Sequence, residues 1–187
     1  MKNKKIILSC FVLLVCLQLW TPAAMIWNRE NVLRSGKAFK FRSAPVDPND
    51  PLRGKYIILR FRENSYKIPD KTGWEIGETA YVQLTIDNAG YATIHSVHKN
   101  KPGKGIDFIK TTINYLSYDS PKTVFVDWPF EHFYMEETRA YKAEEVYIRS
   151  TADSNNITYA LVKVKNGDAV LENVFINDKP IVSFIKK

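Results

Sequence analysis

Between Ile6 and Trp27 the chain runs for 22 residues without a formal charge, IILSCFVLLVCLQLWTPAAMIW. No other feature narrows its possible folds so much. As a helix rising 1.5 Å per residue the run measures about 33 Å, enough to cross a hydrocarbon core of about 30 Å. Trp20 and Trp27 fall toward its far end, where indole rings favour the headgroup boundary. Gln18 and Pro22 interrupt it, and a spanning helix tolerates both. The sequence therefore predicts four parts: a short basic tail (1–5), a transmembrane signal anchor (6–27), a juxtamembrane helical extension (28–36) stopped by Gly36, and one soluble domain (37–187). A cleaved signal peptide shares the Lys-rich start and the Thr21-Pro22-Ala23-Ala24 outline. Against cleavage, the run is long for such a segment and stays apolar through Met25, Ile26 and Trp27.

Orientation is less sharply written. Lys2, Lys4 and Lys5 precede the run, while Arg29, Arg34, Lys37, Lys40 and Arg42 follow it. The positive-inside balance is therefore nearly even. A signal-like start before a large domain favours a single pass with the domain outside.

The net charge of +7 falls to a mild positive balance once the three leading lysines are set aside. No Lys/Arg block remains that could track phosphates, which argues against nucleic-acid binding. Both cysteines, Cys10 and Cys16, lie inside the apolar run, so the domain has no disulfide partner, thiol chemistry or Cys-ligated zinc to draw on. Aromatic residues make up 13% of the chain, ample material for a core.

Beyond Gly36 the hydrophobic period is mostly two. Phe39 and Phe41 alternate with Lys40 and Arg42, and Val82, Leu84 and Ile86 with Gln83 and Thr85. Tyr56–Phe61 is apolar almost throughout, as in a strand covered on both faces. Further strands are predicted at Tyr91–Val97, Ile106–Ile113, Thr123–Val126, Ile157–Lys165, Val170–Ile176 and Ile181–Ile185. Asn88-Ala89-Gly90, Asn166-Gly167-Asp168 and Asn177-Asp178-Lys179 read as turns. One segment, Glu136–Arg149, is rich in helix formers. The fold class is thus mainly β (α+β): a twisted antiparallel sheet or partly open barrel with one packed helix, preceded by a transmembrane helix.

The stretch Asp47–Phe61, DPNDPLRGKYIILRF, resembles the signature of the GDYXXLXY family. Gly54, Tyr56 and Leu59 match it. Lys55 replaces the family's Asp and Phe61 its final Tyr, so no role of that Asp transfers to this chain. The likeness extends to the RE-x-x-LR-x-G run from Arg29 to Gly36 and to the aromatic stretch Phe133–Glu137. It implies a bacterial, membrane-associated protein, similar to proteins found beside or fused with multi-spanning membrane proteins. Separately, no glycine-rich phosphate loop is present, and no cofactor is expected.

Several clusters bear on chemistry. Asp47 and Asp50 beside Arg53 could hold a cation or act as an acid/base pair. The plainer reading is turn chemistry, with Asp capping, Pro fixing φ and Gly54 permitting the bend. His95 and His98, three apart in a strand, face opposite ways unless a bulge intervenes, and His132 is remote. Trp128, Phe130, Phe133 and Tyr134 read as core, or as a membrane- or partner-facing patch. On a helical projection Glu137 and Glu144 fall in the middle of an apolar face made by Ala140, Tyr141, Ala143, Tyr147 and Ile148. Buried there they would need a partner, Arg53 first, because an unanswered buried charge costs roughly 3–5 kcal/mol. Alternatively the helix is rotated and both face solvent. The leading functional expectation is a non-enzymatic accessory domain held at the bilayer beside a multi-spanning membrane protein. The rivals are a small envelope hydrolase or transferase using Asp47, Asp50 and Glu137 or Glu144, and a small-ligand-binding barrel.

Overall fold

The computed structural model describes residues 2–45, 56–69, 73–117 and 121–185. Helix α1 spans Lys2–Ser35 without a break, and no side chain of its apolar window is covered by the rest of the protein. Among the described residues it is the one helix long and apolar enough to cross a membrane. The chain then turns directly into strand β1 (Lys37–Arg42). There follow β2 (Tyr56–Ile58), β3 (Ser65–Lys67), β4 (Thr79–Ile86), β5 (Ala92–His98), β6 (Phe108–Ser117), β7 (Thr123–Asp127) and β8 (His132–Tyr134). Helix α2 (Glu137–Ala152) precedes β9 (Thr158–Lys165), β10 (Asp168–Ile176), β11 (Lys179–Pro180) and a 3-10 turn at Ile181–Phe184.

All strand pairings in the ladders are antiparallel, in three sheets ordered β1-β9-β10-β11, β2-β8 and β3-β7-β6-β4-β5. The five-stranded sheet curls until its two edge strands, β3 and β5, approach each other, so it is nearly closed. The mainly β expectation holds, and its alternating positions are the ones buried: Phe39 and Phe41 in β1, Ala80, Val82 and Leu84 in β4, Val162 and Val164 in β9.

The hairpin turns form where the sequence places them. Asn166 (φ 54°) and Gly167 (φ 97°) join Lys165 to Asp168, and Asn177 (φ 49°) and Asp178 (φ 62°) join Ile176 to Lys179. Both two-residue loops hold positive φ at each position, the geometry that matches strand twist. In the β4–β5 turn, the Asp87 carboxylate accepts from the backbone of Ala89 and Tyr91.

Three expectations need correction. The segment Ile181–Ile185 is a 3-10 turn, not a strand, because Pro180 has no N–H to extend a ladder and only Ile181 and Ile185 reach the core. The predicted strand Ile106–Ile113 starts at Phe108 and continues to Ser117, bulging between Ile113 and Tyr115. Finally, α2 is turned about a quarter of a revolution from the face projected for it. It buries Ala140, Ala143, Tyr147 and Ser150, while Tyr141 stands 71% exposed.

Candidate functional site

The stretch from Tyr56 to Ile68 binds the three sheets to one another. Tyr56–Ile58 pairs with Tyr134–His132, and Leu59 N then donates to Glu131 O at 2.7 Å. Next the chain crosses to the end of β1, where Ser43 and Phe61 form an antiparallel bridge. Ala44 N donates to Arg60 O at 2.7 Å and Arg62 N to Arg42 O at 3.1 Å. Beyond that it joins the five-stranded sheet: Val126 N donates to Asn64 O, β3 pairs with β7, and Ile68 N donates to Lys122 O. One segment thus satisfies its backbone groups on three successive partners, but it is not the strand covered on both faces that its apolar run predicts: β2 ends at Ile58, burial alternates, and Arg60 is exposed.

Its side chains divide accordingly. Ile57, Leu59 and Phe61 are buried, Phe61 edge-on to Phe41 and Phe130 at 5.8 and 5.3 Å. Trp128 stacks on Phe130, and its indole N–H donates to Glu63 O at 2.8 Å. From α2, Tyr147 reaches the same seam, fully buried. Its hydroxyl lies against the Arg60 backbone, 3.3 Å from the donating N–H and 3.5 Å from the carbonyl. Burial pushes that phenol up, and the neighbouring Ser43 hydroxyl and Arg60 pull it partly back. The Glu131 carboxyl is likewise pushed up by burial, while Arg60, at 3.5 Å, opposes the shift.

The outward face of the β2–β8 ribbon carries Tyr56, His132 and Tyr134, with ring centres 4.7 to 6.2 Å apart and Tyr134 70% exposed. The aromatic stretch singled out in the sequence is therefore split. Trp128 and Phe130 are core, Phe133 is half-buried, and Tyr134 faces outward.

A polar recess of about 250 Å³ lies at the same end of β1, lined by Arg42, Arg62, Thr151, Ser154 and Asn156 among others. Arg42 is held there against the Tyr91 ring, 4.1 Å from its centre, and 3.7 Å from Asp87.

Of the carboxylates proposed for catalysis, Glu137 and Glu144 do not line that recess. Asp47, Asp50, Arg53 and Gly54 lie outside the described residues, so their relation to α2 does too. Glu137 is exposed, and Glu144 is half-buried at the flank of the helix. Tyr56 and Leu59 are ladder and core residues of the seam. The histidine strand has the bulge that metal sharing would require: Ile94 pairs with Leu84 and Ser96 with Gln83, leaving His95 between them. Both His95 and His98 are exposed, and among the described residues no three His, Cys, Asp or Glu side chains are grouped for a metal. Glu131 escaped the sequence reading, and Tyr147 was placed on the apolar face of the helix without a role for its hydroxyl. The only signal for Glu131 was a lone acid inside an aromatic run.

A family model described as GDYXXLXY protein matches residues 18–174, from the second half of the apolar run to the middle of β10. No curated protein and no solved structure matches the chain.

Proposed function

The chain belongs to the GDYXXLXY family, and on that footing we propose that it is a membrane-anchored accessory domain on the outer side of the cytoplasmic membrane, assembling with a multi-spanning membrane protein. The observation that carries the reading is the junction at the end of α1. An uncovered apolar helix passes without any linker into a helical turn docked on the sheet. Val32 is 2% exposed, Arg29 donates to Ala169 O at 3.2 Å, Asn28 donates to Asp168 at 3.1 Å, and Lys165 reaches Asn31 and Ser35. A cleaved leader has no need of such docking. A tether meant only for retention would work equally well through a flexible linker. Leu59, the buried residue of the motif, fits a scaffold rather than a catalyst.

The experiment is carbonate washing of membranes carrying the full chain, followed by a crosslinked pulldown and fusion of a periplasm-dependent reporter after Lys187. The expected result is a chain retained in the pellet with its first residues intact, an active reporter, and a multi-spanning protein in the crosslinked complex. A soluble chain beginning near Ala24 or Met25 would overturn the anchor, and activity only from a cytoplasm-dependent reporter would reverse the side.

A further inference from the structure

Gln18 is the one polar amide within the apolar run, twelve residues after Ile6 and nine before Trp27. At 1.5 Å per residue it sits about 18 Å from one end and about 14 Å from the other, near mid-bilayer. Its side chain is exposed and has no hydrogen-bond partner among the described residues. Its main chain is also short of a partner. Residue 22, whose N–H would answer the Gln18 carbonyl in an α-helix, is Pro22. One site on the helix therefore presents an amide and a freed carbonyl to a medium without water, where such groups are re-satisfied by neighbouring helices.

The direction of that site is informative. Gln18 and Val32 are fourteen residues apart, which at about 100° per residue brings them within about 40° of the same azimuth. Val32 is the residue of α1 buried under the domain. Gln18 therefore faces the side over which the domain leans, whereas Ala23 lies about 180° from Val32 and looks away. A helix bound at Gln18 would stand directly beneath the domain.

We propose that the Gln18–Pro22 face of α1 binds a transmembrane helix of another protein, one that carries a hydroxyl or amide at matching depth and ends at the membrane surface under the domain. This rests on the anchor reading above. A second copy of the chain does not fit the same place. Its own α1 would continue for about 12 Å past Trp27, from Asn28 to Ser35, into space already taken by the first domain. A domain of roughly 150 residues has a radius of gyration near 15 Å, too broad for a parallel copy to splay around.

The test places a photoreactive phenylalanine analogue at Phe11 or Met25, on the Gln18 side, and separately at Ala23, in the full chain in its native membranes. The expected result is an adduct with an integral membrane protein from Phe11 and Met25 and none from Ala23. Gln18→Leu should reduce its yield about tenfold and Gln18→Asn should preserve it. Equal adducts from both faces, an adduct of twice the chain's own mass, or a yield indifferent to Gln18→Leu would overturn the proposal. Energy transfer between donor- and acceptor-labelled copies of the purified full chain, diluted in phosphatidylcholine vesicles, supplies a second readout. No transfer beyond random proximity is expected, and transfer abolished by Gln18→Leu would overturn the choice of partner. Carbonate washing of the same membranes separates the two readings: loss of the chain defeats the anchor, while a retained chain without face-specific adducts defeats this inference alone.

Discussion

Tyr147 concentrates more of the architecture than any other single side chain. It is the largest of the fully buried residues, it comes from the only substantial helix of the described domain, and its hydroxyl ends on the backbone of the seam strand. Removing only the hydroxyl, in Tyr147→Phe, leaves the Arg60 N–H without its partner and should cost about 1 kcal/mol. Tyr147→Ala should cost about 3–5 kcal/mol, because a ring-sized cavity opens between helix and seam. Denaturant unfolding of the full chain in detergent, read by tryptophan fluorescence, measures both. Equal losses from the two substitutions would mean that the ring contributes nothing beyond its hydroxyl. Burial raises the Tyr147 phenol, and it also raises Tyr159, whose hydroxyl donates to Asp178 at 2.8 Å. The sign follows from linkage. Below the unfolded tyrosine value, near 10, both states keep their protons and these groups add no pH dependence. Above it the unfolded chain ionises first, so stability falls as pH rises, with up to one proton per tyrosine in the slope. Tyr147→Phe should flatten that alkaline limb. An unchanged limb would place the ionising groups elsewhere.

Among the elements, the turns test the backbone argument most cleanly. Gly90 (φ 85°) and Gly167 (φ 97°) both adopt a conformation that L side chains avoid, but they differ in surroundings. A Cβ at Gly90 meets open space, whereas at Gly167 it would lie 2.6 Å from Cε2 of Phe108. Gly90→Ala should therefore cost about 1–2 kcal/mol, the left-handed strain alone. Gly167→Ala should cost about 1–3 kcal/mol more, as the β9–β10 tip is forced off Phe108. Thermal midpoints of the two variants decide it, and identical shifts would show that the Phe108 contact gives way freely. Such turns were legible in the sequence because Asn-Gly and Asn-Asp after alternating residues specify both the place and the φ signs. The long alternating strands were legible for the same local reason. What escaped was set at long range. The orientation of α2 could not be had from hydrophobicity, since Tyr141 and Ile148 weigh as heavily as Ala143 on a projection. Only the packed structure shows that small Ala140 and Ala143 let the helix approach β2, while Ser150 is buried through hydroxyl bonds with Thr158 and the Tyr147 carbonyl. The short strands β3, β8 and β11 have two or three residues each, too few to display a period. The seam role of Tyr56, Leu59 and Phe61 appeared in the sequence only as a motif without a reason, because its three partners come from residues 42–44, 122–126 and 131–134.

At the scale of the whole molecule, the question is whether helix and domain move as one body. Gly36 marks the junction: its N–H donates to Val32 O at 2.8 Å, and a Cβ there would collide with that same oxygen and lie 3.1 Å from Val164 N. The chain thus passes from helix to strand inside van der Waals contact with β9, with no slack residue between them. If the docked turn is part of the domain's fold, a soluble chain beginning at Asn28 should be more stable than one beginning at Lys37. Burying Val32 contributes about 1.5–3 kcal/mol. The exposed polar contacts of Asn28, Asn31 and Ser35 add at most a few tenths each. A total difference of about 2–3 kcal/mol is expected, measured as the displacement between two urea unfolding curves followed by the emission of buried Trp74 and Trp128. The slope against urea should also be slightly steeper for the longer chain, because it exposes the Val32 interface on unfolding. Coincident curves would sink the idea of a rigid junction and turn residues 28–35 into a passive tether. They would also remove the ground for placing Gln18 beneath the domain, since a free tether fixes no azimuth.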